Sequence, residues 1–156
     1  MRKILNLVCG TIVAGCLTAC GSSTSGEVLT AREFQSKMED EGLTVVDQTD
    51  SAADDSYQEI YVATEEEKYS FEYYFMKNDE SADTVYQYAV TNLKNTYDSD
   101  SSAEINEKDK GTNAKYEVSA SDYYCNVLKK DNTVLYITSY VDYEKEAKEI
   151  IKNLGY

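Results

Sequence analysis

The sequence predicts an α+β domain in which an antiparallel sheet carries helices on one face. Three patterns carry that expectation. Apolar residues alternate with polar ones at Ile60 and Val62 and again at Tyr69, Phe71, Tyr73 and Phe75, the period of strands with a buried side. They recur at three and four residues at Ala82, Val85, Tyr86, Ala89, Val90, Leu93 and Tyr97, and again at Tyr143, Ala147, Ile150, Ile151 and Leu154, the period of amphipathic helices. The later strand candidates are joined by links of hairpin length, which makes neighbours run antiparallel.

Taken in order, Thr30-Ala31-Arg32-Glu33 is a capping box, and Leu29 and Phe34 are spaced to close a hydrophobic staple around it. A helix therefore starts at Ala31, buries Phe34 and Met38 on one face and runs to about Glu41, where Gly42 supplies the left-handed stop. Leu43 to Val46 reads as a short strand, and Asp47 to Ser56, without apolar periodicity, as a loop. The alternating segments on either side of Glu65-Glu66-Glu67 form a hairpin. The second helix is capped by Asp79 or Ser81 and ends before the polar run Asp98 to Ser102. Strands follow at Lys115 to Ser119, Tyr123 to Lys129 and Thr133 to Val141, with Lys130-Asp131-Asn132 as the tightest turn. The last helix is capped by Asp142 and meets Gly155, with Tyr156 able to pack back on it. The order repeats a helix followed by about three strands, as two helix-plus-three-strand units and a C-terminal helix would. Residue matches between the halves are too few to demonstrate a duplication.

With 156 residues, 42% hydrophobic and 28% charged, the chain has the length and apolar content for one folded domain. Its net charge of −14 repels nucleic acid and anionic headgroups, so no nucleic-acid partner is expected. The absence of histidine removes Ser-His-Asp and Cys-His catalysis and the commonest transition-metal ligand. Cys9, Cys16 and Cys20 lie in or at the end of the N-terminal segment. Cys125 is then alone in the body of the chain, reads as a buried thiol, and excludes an intradomain disulfide. No phosphate-cradling glycine loop is present. No catalytic constellation emerges, and neither enzymatic activity nor a cofactor is expected.

Met1-Arg2-Lys3 is a positive start, and Ile4 to Leu17 is an apolar run too short to span a bilayer before the polar Gly21 to Gly26. Residues 1–19 therefore read as a removable export signal. At its end, Leu17-Thr18-Ala19-Cys20 resembles the lipobox of bacterial lipoproteins: a branched apolar residue, two small residues and a cysteine. The resemblance implies that Cys20 receives diacylglycerol and tethers the chain to the outer face of the cell membrane. Two acyl chains are a physically adequate anchor where one is marginal. Val13-Ala14-Gly15-Cys16 fits a looser version four residues upstream. Residues 20–28 then form the lipidated start and a flexible tether, and 29–156 a single domain. Removal of Arg2 and Lys3 leaves 13 basic against 29 acidic residues, a charge of about −16.

Two candidate sites follow. Tyrosines dominate the aromatic content, and the adjacent pairs Tyr73-Tyr74 and Tyr123-Tyr124 on strands cannot both face one core, so one of each pair lies outside it or under a helix. An exposed tyrosine face of the sheet is the expected contact for an unidentified envelope protein or glycan. Alternatively, Asp98, Asp100, Ser102, Glu104, Asn106 and Asp109 place oxygen ligands as a dockerin or EF-hand calcium loop does, which the sequence resembles at those positions. Ala103 stands where that loop wants glycine, and no exiting helix follows Asp109. Asp47, Asp50, Asp54 and Asp55 form a second acidic cluster with irregular spacing. As a whole the region after the tether resembles the small single-domain lipoproteins of unknown function of Gram-positive bacteria, in which a helical start, an aromatic hairpin and a C-terminal helix ending in Leu-Gly-Tyr recur. That resemblance is general and implies no activity; the expectation is a membrane-anchored extracytoplasmic binding module using an exposed aromatic face of the sheet, with a calcium-responsive protein as the alternative.

Overall fold

The structure, a computed structural model, describes residues 28–52 and 54–156; Cys20 and the predicted leader and most of the tether lie outside them. Helix α1 (Ala31–Asp40) is followed by strands β1 (Thr44–Asp47), β2 (Tyr57–Glu65) and β3 (Tyr69–Met76), then α2 (Asp79–Tyr97), β4 (Glu104–Lys110), β5 (Asn113–Ser119), β6 (Tyr123–Lys130), β7 (Thr133–Tyr140) and α3 (Glu144–Leu154). Single 3-10 turns stand at Thr49–Ser51 and Val141–Tyr143. All seven strands pair antiparallel in one sheet, ordered β1-β2-β3-β7-β6-β5-β4. Two meanders thus run inward from the edges and meet where β3 pairs with β7.

The α+β class and the antiparallel sheet are as the alternation predicts, but the helices lie on both faces. On one face, Phe34 and Met38 of α1 and Ala147, Ile150, Ile151 and Leu154 of α3 pack over Phe71, Tyr73, Tyr124, Leu128, Leu135 and Ile137. On the other, Ala82, Val85, Tyr86, Val90 and Leu93 of α2 pack over Tyr74, Met76, Tyr116, Val118, Cys125, Val127 and Val134. The physical cause is in the central strands. Tyr73 and Tyr74, Val127 and Leu128, and Val134 and Leu135 put apolar side chains on alternate sides, so β3, β6 and β7 have no face suited to water. The two predicted units share an order of elements but not a packing, and the second has four strands. A two-fold axis relating the antiparallel pair β3 and β7 stands normal to the sheet and keeps its faces, yet α1 and α2 occupy opposite ones.

Local signals explain most element ends. The Thr30 capping box forms as predicted: its Oγ1 accepts from the Glu33 amide at 3.2 Å, while the Thr30 amide donates to Glu33 Oε2 at 2.8 Å. Gly42, at φ 87°, follows α1, and Gly155, at φ 91°, ends α3 in the left-handed conformation glycine adopts without a Cβ penalty. Two predicted caps are corrected. Asn78, with extended backbone, caps α2 through Oδ1 to the Ser81 amide at 2.9 Å; Asp79 is already helical. Asp142 sits inside the 3-10 turn that leads into α3 and makes no cap there. The turn predicted at Glu65-Glu66-Glu67 has Glu67 at φ 67°, and Asp131 takes φ 50° in the turn between β6 and β7.

A half-buried carboxyl, Glu72, opposes folding at neutral pH. Glu72 of β3 pairs in register with Val62 and Tyr136, on the face covered by α2, and accepts from the Tyr74 hydroxyl. Burial pushes its pKa up, and the tyrosine bond only partly offsets the rise. A raised carboxyl pKa in the folded state means stability that is full below the unfolded value near 4.5 and lost as pH rises through the folded value. Glu72→Gln is therefore expected to raise the melting temperature at pH 7 and to change it little near pH 4. Melting curves at the two pH values check this, and equal effects at both would contradict it.

Candidate functional site

The predicted tyrosine face is not formed. Tyr73 and Tyr124 are fully buried and Tyr74 nearly so, because each lies under a helix. Tyr123 is half-buried and stacks on Tyr140 with ring centres 5.3 Å apart. These four side chains divide between the two faces and present no common surface. Burial raises the pKa of the Tyr73 and Tyr124 hydroxyls far above the ordinary tyrosine value.

The six calcium-loop residues are not brought together either. Asp98 ends α2, and Asp100 Oδ1 is occupied by the Ser102 amide at 2.8 Å and the Ser102 hydroxyl at 2.6 Å. Beyond them the predicted loop is the edge strand β4. Glu104 and Asn106 share one face of it, and Asp109 lies on the other and accepts from the Gly111 amide at 2.9 Å. A calcium loop must curl its ligands around one point, and a strand separates them. Among the described residues no group of three or more acidic, cysteine or histidine side chains is placed to hold a metal ion. Cys125 is buried with its pKa raised by burial and its Sγ 3.6 Å from the Tyr97 hydroxyl, an unreactive setting as expected.

A different site lies where α3 crosses β5 and β6. Antiparallel partners share a face, so Glu117 stands beside Asn126 and Lys115 beside Leu128, all beneath α3. Lys115, Glu117, Tyr124, Asn126, Leu128, Lys148, Ile151, Lys152 and Tyr156 line a recess of about 310 Å³ there. Its polar wall is a connected network. Lys115 Nζ meets Glu117 Oε2 at 2.5 Å, and Lys148 Nζ meets Glu117 Oε1 at 3.4 Å and Glu144 Oε1 at 2.6 Å. The Tyr124 hydroxyl donates to Glu117 Oε2 at 3.1 Å and accepts from Asn126 Nδ2 at 2.8 Å. Lys148 also sits over the Tyr124 ring, 5.1 Å from its centre.

Burial pushes the Glu117 carboxyl up, but the hydrogen bond and charge of Lys115, joined by Lys148 and the Tyr124 hydroxyl, outweigh it and hold the group below the ordinary glutamate value. Burial works against the Lys148 ammonium, and Glu144 and Glu117 outweigh it in the other direction. Glu117 is therefore a fixed anion and Lys148 a fixed cation at neutral pH. Asn126 is only 1% exposed, and its Oδ1 finds no hydrogen-bonding partner among the described residues. Turning the amide over would aim its oxygen at the Glu117 carboxylate, which fixes the orientation with an acceptor left over. An orphaned buried acceptor costs on the order of 1–3 kcal/mol and marks a place where a donor belongs.

The recess also reverses the charge of its surroundings. Lys108 and Lys110 of β4 share the face of Lys115 and Asn113, Lys130 lies beside Asn113, and Lys148 and Lys152 come from α3. Six of the fifteen basic residues thus gather at one corner of a chain with 29 acidic ones. Lys152 makes no ion pair among the described residues. Sequence reasoning missed this corner because its lysines are 44 positions apart at the extremes, from Lys108 to Lys152. The one local hint is Asn126, a polar residue between the apolar Tyr124 and Leu128 that share its face of the strand. No protein-family model, no curated protein and no solved structure matches the chain.

Proposed function

We propose that the chain is a membrane-anchored extracytoplasmic lipoprotein whose domain is a non-enzymatic binding module, and that the recess beneath α3 is its binding surface. The observation that carries the binding half is Asn126: a buried acceptor without a partner, inside a lysine-rimmed recess on an acidic domain. Turnover has less to recommend it. Glu117, the carboxylate among the lining residues, is locked in its ionised form by two lysines, which suits it to hold charge and ill suits it to exchange a proton. The anchor half rests on Leu17-Thr18-Ala19-Cys20, whose likeness to a lipobox supplies both an address and an attachment.

Each half has its own test. Intact mass with fatty-acid analysis of the protein from its native membrane is expected to begin at a diacylated Cys20. A chain beginning at Cys16, or one without lipid, overturns that anchor. For binding, the protein in nanodiscs is mixed with the small-molecule fraction of a cell-envelope extract and followed by amide NMR. Shifts concentrated at Glu117, Asn126 and Lys152 are expected; shifts elsewhere, or none, overturn the choice of surface.

A further inference from the structure

We propose that the recess binds a monoanionic carboxylate that carries an N–H or O–H donor beside the carboxylate and an apolar side chain, the chemistry shared by an N-acylated hydrophobic amino acid and the last residue of a peptide. The inference rests on the recess being a binding surface and goes further by naming what fits it.

Each part of that ligand answers a particular group. Lys115 and Lys148 are already committed to Glu117 and Glu144, whereas Lys152 stands at the rim without an ion pair among the described residues and is the cation left to meet a carboxylate. Asn126 Oδ1 needs a donor and can take one from an amide N–H or a hydroxyl. Leu128, Ile151 and Tyr156 supply an apolar wall, with Tyr156 held by the contact of its hydroxyl with Thr133 Oγ1 at 2.6 Å. A volume of about 310 Å³ lies at the small end of ligand sites, large enough for one hydrophobic residue and its backbone.

The same groups disfavour a phosphate dianion. Glu117 and Asn126 both line the recess and carry acceptor oxygens, and neither accommodates a second negative charge. Lys152 lies in the last turn of α3 and Tyr156 just beyond it, where the aligned peptide dipoles are negative. A single carboxylate held by Lys152, with its neighbouring donor on Asn126, balances the charges with fewer conflicts.

Calorimetric titration of the full protein in nanodiscs tests this with N-acetyl-L-phenylalanine, its methyl ester, 3-phenylpropionate, inorganic phosphate and the tripeptide Ala-Ala-Phe. N-acetyl-L-phenylalanine is expected to bind, with the ester and the phenylpropionate each about tenfold weaker, equivalent to about 1.4 kcal/mol for each lost contact. Lys152→Gln, at an exposed position that leaves the fold intact, is expected to weaken the acid by a similar factor and to leave the ester unchanged. Tighter binding of Ala-Ala-Phe than of the acylated amino acid identifies a peptide end as the source, and the reverse a small molecule. Equal binding of acid and ester, equal binding of acid and phenylpropionate, or binding of phosphate alone overturns the proposal. Binding by none of the probes overturns it too. If envelope extract still shifts the Asn126 and Lys152 amides in that case, the recess remains a binding surface and only the ligand class has failed.

Discussion

Replacing Tyr73 by alanine is expected to destabilise the protein by about 3–5 kcal/mol, the range for removing a large aromatic side chain from a packed core. Tyr73 is fully buried, its ring stacks on Phe34 with centres 4.8 Å apart, and its hydroxyl donates to the Leu29 carbonyl. The contact therefore joins the start of α1 to the middle of the sheet. Truncation leaves a void between them and an unpaired carbonyl, for which a fall in melting temperature on the order of 10–15 °C is expected. Tyr73→Phe keeps the ring and loses the hydrogen bond alone, an expected cost of about 1 kcal/mol. Thermal and urea melts of the two variants separate packing from hydrogen bonding. A Tyr73→Ala protein as stable as the parent would mean that this side chain is exposed.

The second large effect is at Lys129, whose side chain is 2% exposed and whose ammonium lies 2.5 Å from Asp83 Oδ1 on α2. The pair ties α2 to β6 between Ala114 and Val134. Asp83→Ala strands a charge among apolar neighbours and is expected to cost about 2–3 kcal/mol. That is less than the 3–5 kcal/mol of a wholly buried pair, because the aspartate side chain is 58% exposed and water reaches it. Lys129→Met removes the charge and keeps the volume, and is expected to be neutral or stabilising. In the Lys129→Met background, Asp83→Ala should then cost under about 0.5 kcal/mol, and a double-mutant cycle reads the difference. Additive costs would show that the two residues act separately.

These two residues also show what a sequence reveals and what it hides. The start of α1 was legible because its cap, its staple and its glycine stop are consecutive signals with one local meaning. The alternation at Tyr69 to Phe75 was legible as a strand, but not that Tyr74 lies in a second core, since coverage of the other face depends on α2, which lies beyond the strand. Strand β4, Glu-Ile-Asn-Glu-Lys-Asp-Lys, resembles a solvated linker because every one of its residues is exposed, and it is held by backbone pairing to β5 and the surface ion pair of Glu107 with Lys94 at 3.2 Å. Its charges are what a sheet edge carries to avoid pairing with other chains. The candidate site was the least legible part. Lys115, Asn126 and Lys152 each look unremarkable in their own segment, and only the crossing of α3 over β5 and β6 gives them a common purpose.

The meeting of the two meanders at β3 and β7 also governs the order in which the molecule is made. Phe75 pairs with Thr133 and Tyr69 with Ser139, so the central seam waits on about 60 intervening residues, including all of α2 and the whole second meander. Until β7 has been synthesised, β3 pairs with β2 on one side and presents a hydrophobic edge with no partner on the other. Contacts this distant along the chain make closure the slow step and leave the half-built sheet prone to wrong pairings. A nascent chain of this design depends on being kept apart from its neighbours until its final fifth has emerged.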